Sequence, residues 1–165
     1  MSELPEVVTT ARLRLPVITP DEAKRMVAGE REPLWHPDYP RKEDLWAASM
    51  VTKPSCWAPR HLVRAFDGLV VGTIGFVIPP EPADDGILEV ETGYGMVAEA
   101  RGHGVATEAL RGLLAYTDAA GVRVRAAVAP ENAASLRVLA KCGFTSLRGA
   151  NEAGELVMVR ALKTT

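Results

Sequence analysis

The stretch Glu89–Leu110, EVETGYGMVAEARGHGVATEAL, decides how the rest of the chain is read. From Glu89 to Val97 polar and apolar residues alternate, as in a strand with one buried face. A short basic loop, Arg101–Gly104, follows. From Gly104 to about Ala119 the spacing becomes helical, with Ala106, Ala109, Leu110, Leu113, Leu114 and Thr117 on one side. Gly121 fits a terminator just beyond. A strand that passes through glycines into a helix directs several backbone N–H groups into one space. That space lies at the positive end of the helix macrodipole and suits a pyrophosphate.

Downstream, Val122–Ala129 reads as a strand stopped by Pro130. The stretch Pro130–Phe144, PENAASLRVLAKCGF, then holds a short helix from Asn132 to Lys141. Leu136, Leu139 and Ala140 face inward, and Gly143 ends it. Two final strands, Phe144–Arg148 and Glu155–Leu162, flank a turn at Asn151–Gly154.

Upstream, Met1–Val8 reads as a loosely held lead-in, and Thr10–Leu15 alternates as a strand. Thr19-Pro20-Asp21-Glu22 supplies a helix start, with a capping threonine, a first-turn proline and a glutamate placed for a capping box. That helix runs to about Gly29. Glu30–Pro40 is irregular, and a second helix spans roughly Arg41 to Val51. These segments hold Trp35, His36, Tyr39 and Trp46, aromatics that either line a substrate cleft or cover one face of the sheet. His61–Phe66 and Leu69–Ile78 around Asp67-Gly68 form a hairpin signal. Pro79–Gly86 is a surface loop, since its prolines lack donors and its acids favour turns. The order β-α-α-β-β-β-α-β-α-β-β predicts an α+β fold with a mixed sheet.

At 165 residues the chain is read as one domain with its own core. A net charge of −2 gives no support for nucleic acid or an anionic membrane as the main partner. No apolar run approaches spanning length, and no signal segment opens the chain, so the expected location is the cytoplasm. The two cysteines, Cys56 and Cys142, are expected as reduced thiols. His36, His61 and His103 lack metal-ligand spacing, so no metal is implied. Neither G-x-x-x-x-G-K-[ST] nor a G-x-G-x-x-G after the first strand is present, which removes the P-loop and dinucleotide-binding readings.

The loop RGHGVA fits the pattern R/Q-x-x-G-x-G/A. With the N-x-x-S…K-C-G-F of the second stretch, it resembles the GNAT family, the N-acetyltransferases that use acetyl-CoA. P-E-N-x-x-S, K-x-G-F, Gly93-Tyr94 and the A-T-E-A of Ala106–Ala109 are similar to the ribosomal-protein N-acetyltransferase branch. These motifs cover the C-terminal half; the N-terminal half agrees in pattern only. The resemblance implies a central sheet splayed between its fourth and fifth strands, here Ile87–Val97 and Val122–Ala129. It assigns the coenzyme pyrophosphate to Arg101, Gly102, His103, Gly104, Val105, Ala106 and Thr107, and the pantetheine arm to Asn132, which also suits a helix cap.

For the chemistry, an attacking amine must lose a proton and the departing thiolate must be stabilised. The resemblance makes Glu91, three residues before Tyr94, the base, directly or through water. Glu89 lies on the same strand face, and the alternative is that both form a solvated face. Ser135 matches the branch's serine and offers a hydroxyl near the sulfur, or else packs within its helix. Leu139 stands where many members place a tyrosine acid, and Ala98 where many have proline. The oxyanion is expected to meet backbone N–H groups near Met96 and Val97. Cys142 is read as a packing residue, because direct transfer needs no acyl-enzyme.

The expectation is therefore acetyl transfer from acetyl-CoA to a primary amine by direct attack in a ternary complex. The acceptor is a protein N-terminus or a small-molecule amine. The alternative is a non-catalytic acyl-CoA-binding or sensing module on the same fold. The resemblance permits a homodimer, common in the family, through the exposed sheet edges.

Overall fold

The structure, a computed structural model, describes residues 3–76 and 78–163. In chain order the strands are β1 Val7–Thr9, β2 Leu13–Pro16, β3 Arg60–Arg64, β4 Val70–Phe76, β5 Glu81–Pro82, β6 Leu88–Met96, β7 Arg123–Val128, β8 Phe144–Ala150 and β9 Leu156–Arg160. The helices are α1 Pro20–Val27, α2 Lys42–Ser49, α3 Val105–Ala120 and α4 Ala133–Lys141, with a 3-10 turn at Ala98–Ala100. One sheet runs β1-β2-β3-β4-β6-β7-β9-β8, and β5 adds two residues against β6. Every pairing is antiparallel except β6 with β7. The expected α+β architecture with a mixed sheet is present.

Local chemistry accounts for most boundaries. Thr19 accepts from the Glu22 N–H while Glu22 reaches back to the Thr19 N–H, a capping box with Pro20 at the first helical position. Gly121, at φ 72°, closes α3. Val105, Ala109, Leu110, Leu113, Leu114 and Thr117 form its buried stripe. In α4, Leu139 is buried and Leu136 half-buried, but Ala140 is exposed, against expectation: the helix is shallowly seated and presents a narrower face.

The N-terminus departs most from the sequence reading. Of the expected lead-in, Met1 and Ser2 lie outside the described residues, as does Val77 of the hairpin. Val7–Thr9, however, pairs with β2, and Leu4 and Val8 are buried. Arg60 explains why this segment is held. Its fully buried guanidinium donates to the carbonyls of Pro5 (2.8 Å) and Leu15 (3.1 Å) from beneath, satisfying oxygens that would otherwise lose water. Thr10–Arg12, read as strand, is the turn between β1 and β2.

Pairing places the elements that matter for the site. β6 pairs with β7 only from Glu89↔Arg123 to Thr92↔Ala126. Beyond Thr92, β6 stays on β4 as far as Met96, while β7 stays on β9 as far as Val128. The sheet thus parts between β6 and β7, as the resemblance implied. Asp44 of α2 bonds Thr73, which sets α1 and α2 on the face of Thr73 and its partner Gly95. Tyr94 alternates to the other face and meets α4.

Candidate functional site

The parting of β6 from β7 leaves backbone groups facing into the gap. Val97 N–H donates to Val71 C=O at 2.8 Å, so Gly95 and Gly93 are the other bonded partners of β4 and the intervening Met96 and Tyr94 point the opposite way. The N–H of Met96 is therefore directed toward the gap. Of the two residues expected to meet an oxyanion, Met96 is placed to donate and Val97 is not, its N–H being spent inside the sheet.

The loop Arg101–Gly104 sits above that gap. Gly102 (φ 82°) and Gly104 (φ 74°) are left-handed, a conformation that costs an L side chain about 1–2 kcal/mol. These two turns aim the chain into α3, whose first intrahelical bond is Glu108 N–H to Gly104 C=O at 3.0 Å. The N–H groups of Val105, Ala106 and Thr107 precede that bond and have no partner in the preceding turn. Arg101 folds back, its Nε 3.2 Å from Met96 O, and so braces the loop against β6; His103 is exposed. Glu108 accepts from Thr10, from the Arg12 N–H and from Arg12 Nε at 2.6 Å. That contact brings the half-exposed Arg12 guanidinium to 3.5 Å from where a Cβ on Gly104 would lie. Free N–H donors, a helix N-terminus and a nearby arginine fit the phosphates of a coenzyme A. Arg12 escaped the sequence reading because it lies about ninety residues from the loop and carries no local signal.

Across the gap, Asn132 caps α4: its Oδ1 accepts from the Ser135 N–H at 3.1 Å. The residue is exposed, not buried, and its amide NH₂ has no protein partner among the described residues. Ser135 Oγ lies 2.7 Å from the Tyr94 hydroxyl. Burial pushes the Tyr94 phenol up, so this pair is a neutral donor chain. Leu139 is buried in the core and offers no acid. Tyr94 belongs to a motif noted in the sequence, but its pairing with Ser135 was not legible, because the partners are 41 residues apart. Cys142 packs with its Sγ 3.8 Å from Thr107 O, and burial pushes its thiol up, away from a thiolate nucleophile.

Glu89 and Glu91 share a face, but not an environment. Glu89 is almost fully buried and receives Arg148 in a fork (2.7 and 2.8 Å), Arg125 Nη1 (2.7 Å) and Arg123 Nε (2.6 Å). Arg148 above all, with Arg125 and Arg123, overcomes burial and holds its carboxyl down to about 2. Such a group cannot take a proton at neutral pH. It is also not part of a solvated face. Glu91, with a side chain 33% exposed, is 3.2 Å from Arg125. It borders a cavity of about 200 Å³ beside Arg125 and Arg148.

One strand step further, Gly93 borders a larger cleft of about 390 Å³ between α2 and the β4–β6 pair. Arg41, Trp46, Met50, Gly75 and Glu155 also line it. Glu91 thus lies on the cleft's face of the sheet, and Ser135 on the opposite face; the parting between β6 and β7 is where the two faces communicate. Of the aromatics expected either to line a cleft or to cover the sheet, Trp46 lines this cleft. Tyr39 is fully buried on His61 (2.8 Å) with Trp35 edge-on to it, and these cover the sheet. Among the described residues no group of three or more metal-ligating side chains occurs, and no helix is long and apolar enough to cross a membrane.

Comparison with known proteins agrees with this geometry. No curated protein sequence matches the chain. Among solved structures, one assigned as a GNAT-family acetyltransferase from Bordetella pertussis superimposes with a TM-score of 0.66 at 23% identity, over 95% of this chain and 100% of that one. The ribosomal-protein-S5-alanine acetyltransferase from Vibrio fischeri gives 0.60 at 17%, over 93% of each chain. The microcin C7 self-immunity acetyltransferase MccE, solved with acetyl-CoA and AMP, gives 0.57 at 14%, over 92% of this chain and 93% of that one. These likenesses establish the fold. The profile of the acetyltransferase (GNAT) domain matches residues 4–145, and the chain therefore belongs to the GNAT family of acetyl-CoA-dependent acetyltransferases.

Proposed function

We propose that the chain is an N-acetyltransferase that moves the acetyl group of acetyl-CoA to a primary amine, a protein N-terminus or small-molecule amine, by direct attack within a ternary complex. The observation that carries this reading is the parted sheet: one gap is bordered by the N–H groups of the loop, the Met96 N–H and the Ser135–Tyr94 hydroxyl pair, and opens toward an acceptor-sized cleft.

Acetyl-CoA supplies an activated acyl carbon with a thiolate leaving group. Residues Arg101, Gly102, His103, Gly104, Val105, Ala106 and Thr107 hold its pyrophosphate, and Asn132, through its unspent NH₂, holds the pantetheine arm. Met96 N–H polarises the thioester oxygen. Glu91 takes the amine proton through a water, since the side chain lies one step along the strand from the cleft floor. Arg125 orients that carboxylate. Ser135 hydrogen-bonds the departing sulfur and Tyr94 fixes the serine's hydroxyl, replacing the tyrosine that Leu139 cannot provide. The likeness to ribosomal-protein acetyltransferases favours a peptide N-terminus within the amine class. The chain works in the cytoplasm on this reading.

A coupled thiol-release assay with acetyl-CoA and a panel of peptides and small amines tests the proposal. Release with one acceptor class is expected. Coenzyme A binding without release from any acceptor would contradict catalysis and leave a binding module.

A further inference from the structure

We infer that the acceptor is an α-amine carrying a neutral carbonyl and a bulky apolar side chain, a peptide N-terminus with an apolar first residue, and that Arg41 recognises its carbonyl oxygen. This rests on the amine acetylation proposed above and names the acceptor class.

Arg41 is an unusually fixed arginine. Its Nε and Nη2 donate to the two oxygens of Asp44 at 3.0 and 2.9 Å, and its backbone N–H donates to Oδ2 at 2.8 Å. Asp44 is itself fully buried and also accepts from Thr73 Oγ1 at 2.6 Å. The guanidinium lies flat on β6, so close that a Cβ on Gly95 would fall within 2.9 Å of three of its atoms. Only glycine at 95 allows this seat. Of its nitrogens, Nη1 alone has no protein partner among the described residues. It sits one residue from Met96, beside the gap where the acyl group is placed.

The rest of the cleft selects what Nη1 meets. Trp46 and Met50 are 58% and 47% exposed, and both border the cleft; Gly75 and Gly93 form its floor. An apolar side chain of the acceptor would cover this surface. The charge balance then decides between oxygen types. Asp44 already neutralises Arg41, and Glu43 and Glu155 also border the cleft, so it is net negative. Such a cleft attracts an ammonium and repels a free carboxylate, while an oriented N–H donor still suits an uncharged carbonyl. A free amino acid meets repulsion, and a simple alkylamine or polyamine leaves Nη1 unpaired once water is excluded. A peptide N-terminus satisfies all three features.

The test compares kcat/KM for thiol release across four acceptors: a peptide amide beginning with Leu, the same peptide beginning with Asp, free leucine and hexylamine. The Leu peptide is expected to exceed hexylamine by roughly tenfold or more, the effect of one hydrogen bond from a charged donor, and the Asp peptide and free leucine by roughly as much, through repulsion of their carboxylates in the net-negative cleft. Arg41→Lys, which keeps a cation on Asp44, should raise KM for the Leu peptide and shrink its advantage over hexylamine toward parity. Trp46→Ala, at an exposed site that the fold tolerates, should narrow the gap between Leu and Asp first residues. Free leucine or hexylamine performing as well as the Leu peptide would overturn the inference while acetyl transfer stands. So would an Arg41→Lys enzyme that loses activity equally on all acceptors. Coenzyme A binding with no thiol release on any of the amines would overturn the transfer reading and this inference together.

Discussion

Strand β6 has two halves that differ in almost every physical respect. From Glu89 to Thr92 it is stitched to β7 and closed by charge, with Glu89 clamping Arg123 and Arg125 of β7 and Arg148 of β8. From Gly93 to Met96 it leaves β7, carries two glycines, and turns backbone N–H groups into open space. The first half holds β6 to β7 over the four residues that precede the division. The second gives up strand pairing and gains a site. A buried carboxylate with three arginines is costly to assemble and costlier to break, and Glu89 ties β6 to β7 and β8 at the far end of the paired segment, three residues before the strands part.

Breaking the closed half should have the largest effect. Glu89→Ala leaves three arginines facing one another around a buried void, and about 3–5 kcal/mol of stability should be lost in urea unfolding. The same contact has an acid signature. Because folding lowers the Glu89 carboxyl from its ordinary 4.5 to about 2, its contribution is complete above roughly pH 5 and drains away as pH falls from 4.5 toward 2. The variant's stability should fall less steeply over that window than the parent's; parallel acid profiles would remove Glu89 from this role.

In the open half the effects should appear in rate, with the fold intact. Glu91→Gln should lower kcat about 10²-fold at neutral pH while coenzyme A binding and melting temperature hold. Equal rates for the two proteins across pH would show that Glu91 is not the base. Ser135→Ala should cost roughly tenfold in kcat, the scale of one hydrogen bond to a developing charge. Tyr94→Phe should cost less than Ser135→Ala, and the double variant should lose no more than Ser135→Ala alone, since the phenol acts only through the serine. Additive losses would place the tyrosine on the substrate directly.

The two halves also divided what could be read from sequence. The loop and its helix were legible because the signal is contiguous: glycines at 102 and 104 and the apolar stripe of α3 all lie within one run of residues. The capping box at Thr19–Glu22 was legible for the same reason. Strand β1 was not, because three residues flanked by Glu6 and a turn carry too little alternation, and the group that holds them, Arg60, is far away in sequence. Thr10–Arg12 alternates like a strand, yet it is bent into a turn whose residues are tied to Glu108. The side-chain half of the site shows the same limit. Arg41 and Asp44 stand three apart, at the start of a helix, and that spacing is the one local hint of a fixed guanidinium; its seat on Gly95 is known only from the fold. Spacing correctly put Glu89 and Glu91 on one face, but could not tell that one is sealed by arginines and the other is half open.

The most direct test of the account is a calorimetric titration of coenzyme A into the wild-type protein and into Gly104→Val. A β-branched residue at that left-handed position must distort the loop that presents the Val105, Ala106 and Thr107 N–H groups. One-site binding to the wild type, weakened roughly tenfold or more in a variant that still folds with a melting temperature only about 2–8 °C lower, is the predicted result. No binding to the wild type, or equal binding to both, would contradict it.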